Sequence, residues 1–292
     1  MISQIINVVA PVFICAVLGF IWAKKQLPYN TDMVSRLVFN LAAPCLVVSS
    51  ISKVSLAPAA LWQMGLAAVL ASTGVLVAGA VFIRLAKVPM ATYLPALVFP
   101  NVGNMGLPLC LFAFGEKGLA LAVAYFMVMS VAHFSVGMAI ASGERIAARH
   151  FFSNPILAAI AVAILLVMTG WHLPLWLNHT VNLIGDMTIP LMLITLGYSL
   201  ANLKVHQFKQ GFYFACLRLC IGGLMALGVA ELLNLEGISR GVVILQGIMP
   251  MAVFNYLFAL KSGRGHEEVA SMILLSTLMA CVLIPVVLFF VL

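Results

Sequence analysis

Apolar runs, each long enough to cross a lipid bilayer as a helix, follow one another along the whole chain. They fall near 4–23, 34–52, 61–83, 92–113, 119–141, 156–171, 179–200, 211–233, 239–260 and 269–292. A bilayer core is crossed by roughly 20 apolar residues in a helix. Only 8% of the 292 residues are charged, whereas a soluble domain carries roughly 25%. Such a chain cannot cover a watery surface, which excludes a soluble enzyme, a nucleic-acid binder and a disordered chain. Stretches such as 66–81 and 156–167 are apolar on every side, unlike the alternating strands of a membrane β-barrel. The expected class is an all-α integral membrane protein with ten transmembrane helices, because lipid tolerates no open sheet edge.

Ten spans place alternate loops on opposite sides of the membrane. One side then receives Lys24, Lys25, Arg36, Arg84, Lys87, Arg145, Arg149, Lys204, Lys209, Arg218, Lys261 and Arg264. The other receives Lys53, Lys117 and Arg240. Basic loops stay in the cytoplasm. The expectation is a multi-pass protein of the cytoplasmic (inner) membrane with both termini outside. The first run has its basic pair, Lys24 and Lys25, after it, and reads as a retained span rather than a cleaved leader. The six cysteines sit inside apolar runs without paired or His-flanked spacing, as packing residues do. No metal-ligand set, HExxH, GxSxG or phosphate-binding glycine loop occurs. Neither a cofactor nor an enzymatic reaction is therefore indicated.

The polar stretch 143–155 separates a first five-helix repeat (1–142) from a second (156–292). Five is odd, so the halves must be inverted relative to each other. Span two carries Asn40 four residues before Pro44, and span seven carries Asp186 four before Pro190. Pro100 in span four matches Pro250 in span nine. Matching interruptions in inverted halves are a sequence pointer to the site of a secondary transporter.

Span four contains Pro100, Asn101, Gly103, Asn104, Gly106 and Pro108 within ten residues. Proline removes an amide donor and glycine loosens the backbone, so an intact helix is not expected there. A break at membrane depth must be buried in protein or line a watery cavity. It exposes the amide end of the next half-helix, which attracts anions. Asn101 and Asn104 add side-chain donors. Gly247, Pro250 and Asn255 repeat the arrangement in span nine, and inversion should bring the two breaks together near the midplane. No basic residue reads as mid-span. An anionic ligand, best a carboxylate, would then be held by helix ends and Asn amides. Asp186 is the one carboxylate clearly within a span; with its counterpart Asn40 it is the coupling candidate, as a proton carrier. His133, the one mid-span histidine, reads as a packing hydrogen-bonder. Ser130, Ser135 and Tyr125 share its span.

At these residues the chain resembles the auxin efflux carrier family, in its bacterial branch. The resemblance runs over all ten spans. It is carried by Arg36 to Pro44 in span two, by Pro100-Asn101 through Met105-Gly106-Leu107-Pro108 in span four, and by Pro250 with Lys261 in span nine. It implies two inverted five-helix repeats with broken, crossing helices four and nine. Spans one, two, six and seven would form a scaffold, and spans three to five and eight to ten a mobile transport unit. It further implies that Asn101 meets a substrate carboxylate and that Ala43, beside Pro44, lines the same pocket. The family moves organic anions, including auxin and malonate. The long cytoplasmic loop of plant members is missing, and Asn255 stands where they tend to carry a second proline. The fold is also similar to that of bile-acid sodium symporters and sodium/proton antiporters, but the antiporters' adjacent intramembrane acids are absent.

The expected function is a secondary transporter for a small organic anion, working by alternating access, with protons as candidate coupling ions. The site set is Asn101, Asn104, Pro100, Gly103, Ala43, Pro44, Pro250 and Asn255. The alternatives are a sodium-coupled symporter of similar fold, an anion channel, or a membrane-embedded enzyme. The partners are the anion and the lipid bilayer, with a homodimer one open arrangement.

Overall fold

The computed structural model describes residues 2–53, 57–143, 155–171 and 173–292. The 143–155 connection lies, apart from its two end residues, outside them. All regular structure among the described residues is helical, and the one β feature is an isolated antiparallel bridge between Pro100 and Met251.

The first half opens with α1 (Ile2–Lys24), α2 (Thr31–Leu37) and α3 (Ala43–Lys53). Asn30 caps α2, its side-chain oxygen accepting from the Met33 amide at 2.9 Å, as N-cap residues do. Asp32 and Arg36 pair across one exposed turn at 3.0 Å. Between α2 and α3, Val38–Ala42 forms a π turn in which the Ala43 amide reaches back to the Val38 carbonyl. The cause is local. Pro44 has no amide to offer the Asn40 carbonyl, so the ladder widens there. There follow α4 (Pro58–Ala86), α5 (Met90–Val98), the π turn Val102–Gly106, and α6 (Leu107–Ala132). Gly115 inside α6 stands at φ 67°, ψ −161°, a conformation open to glycine, and parts α6 into two segments. A third π turn, His133–Gly137, leads to α7 (Met138–Ser142).

The second half comprises α8 (Pro155–Thr169), α9 (Leu175–Asp186), α10 (Thr188–Asn202), α11 (Phe208–Leu232), α12 (Gly237–Gly247), α13 (Phe254–Lys261) and α14 (His266–Val291). The α9–α10 junction at Met187 falls just before Pro190, as the π turn of the first half falls before Pro44. In each half the residue four before the proline loses the donor for its carbonyl. Seven helical stretches among the described residues are long and apolar enough to cross a membrane. The nine residues of α5, the eleven of α12 and the eight of α13 are each too short to do so alone. They are the pieces on either side of the two breaks. The protein is an integral membrane protein.

Packing sorts the helices into two groups. In one, α1 lies along α10, and α3 packs on α8 and α9. In the other, α4 packs on α5, α6 and α11, and α14 packs on α11. The α1–α10 contact is backbone to backbone. A methyl group on Gly19 would overlap the Ile194 carbonyl, and one on Gly197 would overlap the Ala16 carbonyl. Small residues allow such approach between helices in lipid, where association rests on close packing.

Gly197→Val should therefore force α1 and α10 apart and lower the thermal midpoint of the detergent-purified protein sharply. Gly228→Ala, with nothing within 4 Å of the added carbon, should leave it unchanged or slightly raised. Melting followed by tryptophan fluorescence distinguishes the two.

Candidate functional site

Both breaks lie at the centre of the buried core, and they are joined to each other. The Asn101 amide donates to the Pro250 carbonyl at 2.7 Å, and the Ala252 amide donates to the Phe99 carbonyl at 3.1 Å. A helix break in lipid leaves backbone groups that no water can satisfy. Here each extended segment supplies what the other lacks. Ser276 of α14 adds a further partner, its hydroxyl accepting from the Met251 amide at 3.2 Å.

The carbonyl ends of the half-helices are met by Arg218. Its Nη1 donates to the Leu97 carbonyl and its Nη2 to the Gly247 carbonyl, each at 2.9 Å, and its Nε to Met249 at 3.4 Å. Arg218 is 1% exposed and sits well inside α11. This corrects the assignment of Arg218 to a cytoplasmic loop and the statement that no basic residue lies mid-span. The loop asymmetry becomes eleven to three. A cation belongs here because α5 and α12 both end at the breaks, and helix C-termini carry partial negative charge.

With the carbonyl ends neutralised, the amide ends face the pocket, although the Asn101, Val102 and Ala252 amides are already paired with the Pro250, Pro100 and Phe99 carbonyls. Asn101, Val102, Gly103 and Asn104 precede α6, and Ala252 precedes α13; all line one pocket. The first amides of a helix have no acceptor within it. Asn101 is buried, and its Nδ2 has no hydrogen-bond partner. Asn104, Ser130 and His133 add polar side chains to the wall. The rest is apolar and largely aromatic: Phe39, Phe99, Phe126, Phe134 and Phe254 with Met129 and Met192. Among the described residues, no carboxylate, lysine or arginine lines it. Gly103 leaves room for Phe126, whose ring edge would lie 2.9 Å from an added Cβ. The cavity is small, about 30 Å³, enough for one or two waters.

Of the site residues read from sequence, Pro100, Asn101, Gly103 and Asn104 come together in this pocket. Pro250 holds the wall through its carbonyl. Asn255 is not part of the lining. It is buried and acts as a strut, its Nδ2 donating to the Phe99 carbonyl at 3.0 Å and its Oδ1 facing His133 Nε2 at 2.8 Å. Ala43 is buried one layer behind, against the pocket residue Met192. Pro44 is half-buried and outside the lining, while Asn40 and Asp186 lie on the outer surface of the chain. The sequence reading missed the aromatic wall, because phenylalanines in an apolar span carry no signal of which face they occupy. Arg218 did leave a signal, a lone charge well inside the run 211–233.

Removing Arg218 should be costly. Arg218→Met strands three buried carbonyls, each worth about 1–3 kcal/mol when left unpaired. The expected result is a steep loss of thermal stability in detergent, partly recovered by Arg218→Lys.

Comparison with known proteins agrees with this architecture. A family model described as membrane transport protein matches residues 4–149 and again 141–288. The chain thus contains the family's unit twice. An uncharacterized transporter of Methanothermobacter thermautotrophicus is 28% identical over 198 residues, covering 65% of this chain and 64% of the relative. One of Methanocaldococcus jannaschii is 27% identical over 188 residues, covering 61% and 60%. The matched region thus spans a little under two thirds of the length of these relatives. Both relatives bear the description of uncharacterized transporters. The chain belongs to the membrane transport protein family, that of the auxin efflux carriers.

Proposed function

We propose that the protein is a secondary carrier for an organic monocarboxylate, working by alternating access. The observation that carries this reading is the unpartnered, buried Asn101 Nδ2. It stands beside two half-helix amide ends in a pocket whose described lining carries no fixed negative charge. Donors without acceptors in a dry site favour an anion. The five phenylalanines around them favour an apolar body over a second carboxylate.

Ten spans in two inverted repeats, with both termini outside the cytoplasmic membrane, accommodate the doubled family match and the basic loops. The two packing groups correspond to a scaffold of spans one, two, six and seven and a transport unit of the others. Phe39, from the scaffold side, meets Phe134 and Phe254 of the transport side edge-on, with ring centroids 5.5 and 4.8 Å apart. These rings close the pocket at the seam between the groups. A cavity of about 30 Å³ takes a carboxylate but not the body of an organic acid, so loading requires the seam to open. Arg218 supplies the positive charge that carbonyl ends would otherwise draw from a bound cation, which weighs against sodium coupling.

Liposomes containing the protein should exchange labelled phenylacetate for unlabelled phenylacetate, with no difference between sodium and potassium media. The neutral phenylacetamide should not compete. Asn101→Ala should reduce phenylacetate binding at least tenfold while the melting point stays near wild type. Wild-type affinity in Asn101→Ala, or equal competition by the amide, refutes the site.

A further inference from the structure

The hydrogen bonds around Asn255 fix a protonation pattern that the proposed function leaves unused. Asn255 Nδ2 donates to the Phe99 carbonyl, an oxygen that can only accept. The Asn255 oxygen must therefore face His133, and His133 Nε2, 2.8 Å away, must carry the hydrogen. Flipping the amide would set oxygen against oxygen. A neutral imidazole holds one N–H, so Nδ1 is left as a lone pair. No hydrogen bond to Nδ1 is seen among the described residues. The ring is fixed in place by stacking on Phe99, with centroids 4.6 Å apart and planes 9° apart, and by the edge contact with Phe258 at 5.2 Å. Gly137 makes the stack possible, since an added Cβ would lie 2.8 Å from the Phe99 ring. His133 also lines the pocket.

We propose that His133 takes up a proton together with the anion, so that one proton and one monocarboxylate load as a neutral pair. This rests on the carboxylate reading of the pocket. A neutral His133 offers a carboxylate a lone pair, which repels it. A proton from water bound at Nδ1 leaves the Nε2–H bond to Asn255 intact and creates a second N–H donor. The carboxylate accepts from that donor, and release of the anion on the far side returns the proton. Binding must then strengthen as pH falls, for as long as the acid itself stays ionised.

The titratable groups on surrounding elements do not substitute for this partner. Arg218 on α11 is engaged with three carbonyls. Tyr125 on α6 and Tyr256 on α13 do not line the pocket, nor does Asp186, the last residue of α9. Lys261 lies at the exposed end of α13, and His266, Glu267 and Glu268 open α14 outside the pocket.

The test is calorimetric titration of phenylacetate into purified protein between pH 5.5 and 8.5, in buffers of different ionisation enthalpy. Wild type should take up about one proton per phenylacetate bound, with affinity falling about tenfold per pH unit once the imidazole is deprotonated. His133→Gln keeps a donor for Asn255 and should bind weakly, with neither proton uptake nor pH dependence. A second measurement needs no variant. With ring-labelled histidine, phenylacetate should produce an imidazolium band in the infrared difference spectrum of the wild type. Binding without proton uptake, retained uptake in His133→Gln, or an infrared signal from a carboxyl group instead overturns this inference and spares the pocket. Absence of phenylacetate binding at every pH overturns the carboxylate reading and this inference with it.

Discussion

Two backbone hydrogen bonds exchanged between the interruptions, Asn101 to Pro250 and Ala252 to Phe99, are what the rest of this molecule is arranged around. Each break frees two kinds of groups, carbonyls on the incoming half-helix and amides on the outgoing one. In lipid neither can turn to water. The protein treats the two differently. Carbonyls are satisfied internally, by the partner break, by Asn255 and by the buried guanidinium of Arg218. Amide ends are left facing a cavity. That asymmetry favours a negative guest, because it leaves the buried Asn101 Nδ2 donor beside the amide ends without an acceptor.

The second constraint is that the pocket lies on a seam. Its polar end belongs to the breaks and to His133, while Phe39 and Met192 reach it from elements that pack with α1 and α3. Sliding one group past the other would change the aromatic wall and leave the hydrogen bonds between the breaks intact. The two groups are internally tight where they need to be rigid, as the glycine-mediated approach of α1 and α10 illustrates. A carrier needs both properties: a binding end that does not deform and a wall that does.

Much of the site was legible because proline and glycine act locally. Pro100 and Pro250 cannot continue a helix wherever they fall in space, and Pro44 and Pro190 disturb the ladder four residues earlier for the same reason. Arg218 was misread as a loop residue. A long basic side chain in a span ordinarily reaches for the interface, and only the Leu97, Gly247 and Met249 carbonyls opposite it show that this one does not. Asn255 was expected in the pocket wall and instead serves as a strut. An amide's role depends on which carbonyl lies opposite, and Phe99 is 156 residues away in the chain. Asp186 was selected as the one carboxylate within a span, and Asn40 as its counterpart in spacing before proline. That spacing marks a freed backbone carbonyl, which says nothing about the direction in which the side chain points.

By itself the sequence determined that the chain lives in lipid, that it is helical and doubled, and where its helices must fail. These follow from apolar content and from prolines that lack a donor, both properties of residues taken one at a time. Tertiary structure alone decided which backbone groups the two failures exchange where they meet, and that a buried arginine closes their carbonyl ends. It also decided that five phenylalanines and one histidine share the remaining hollow. Those outcomes depend on which groups far apart in the chain are brought within hydrogen-bonding distance, and apolar spans are too alike in sequence to encode which faces meet.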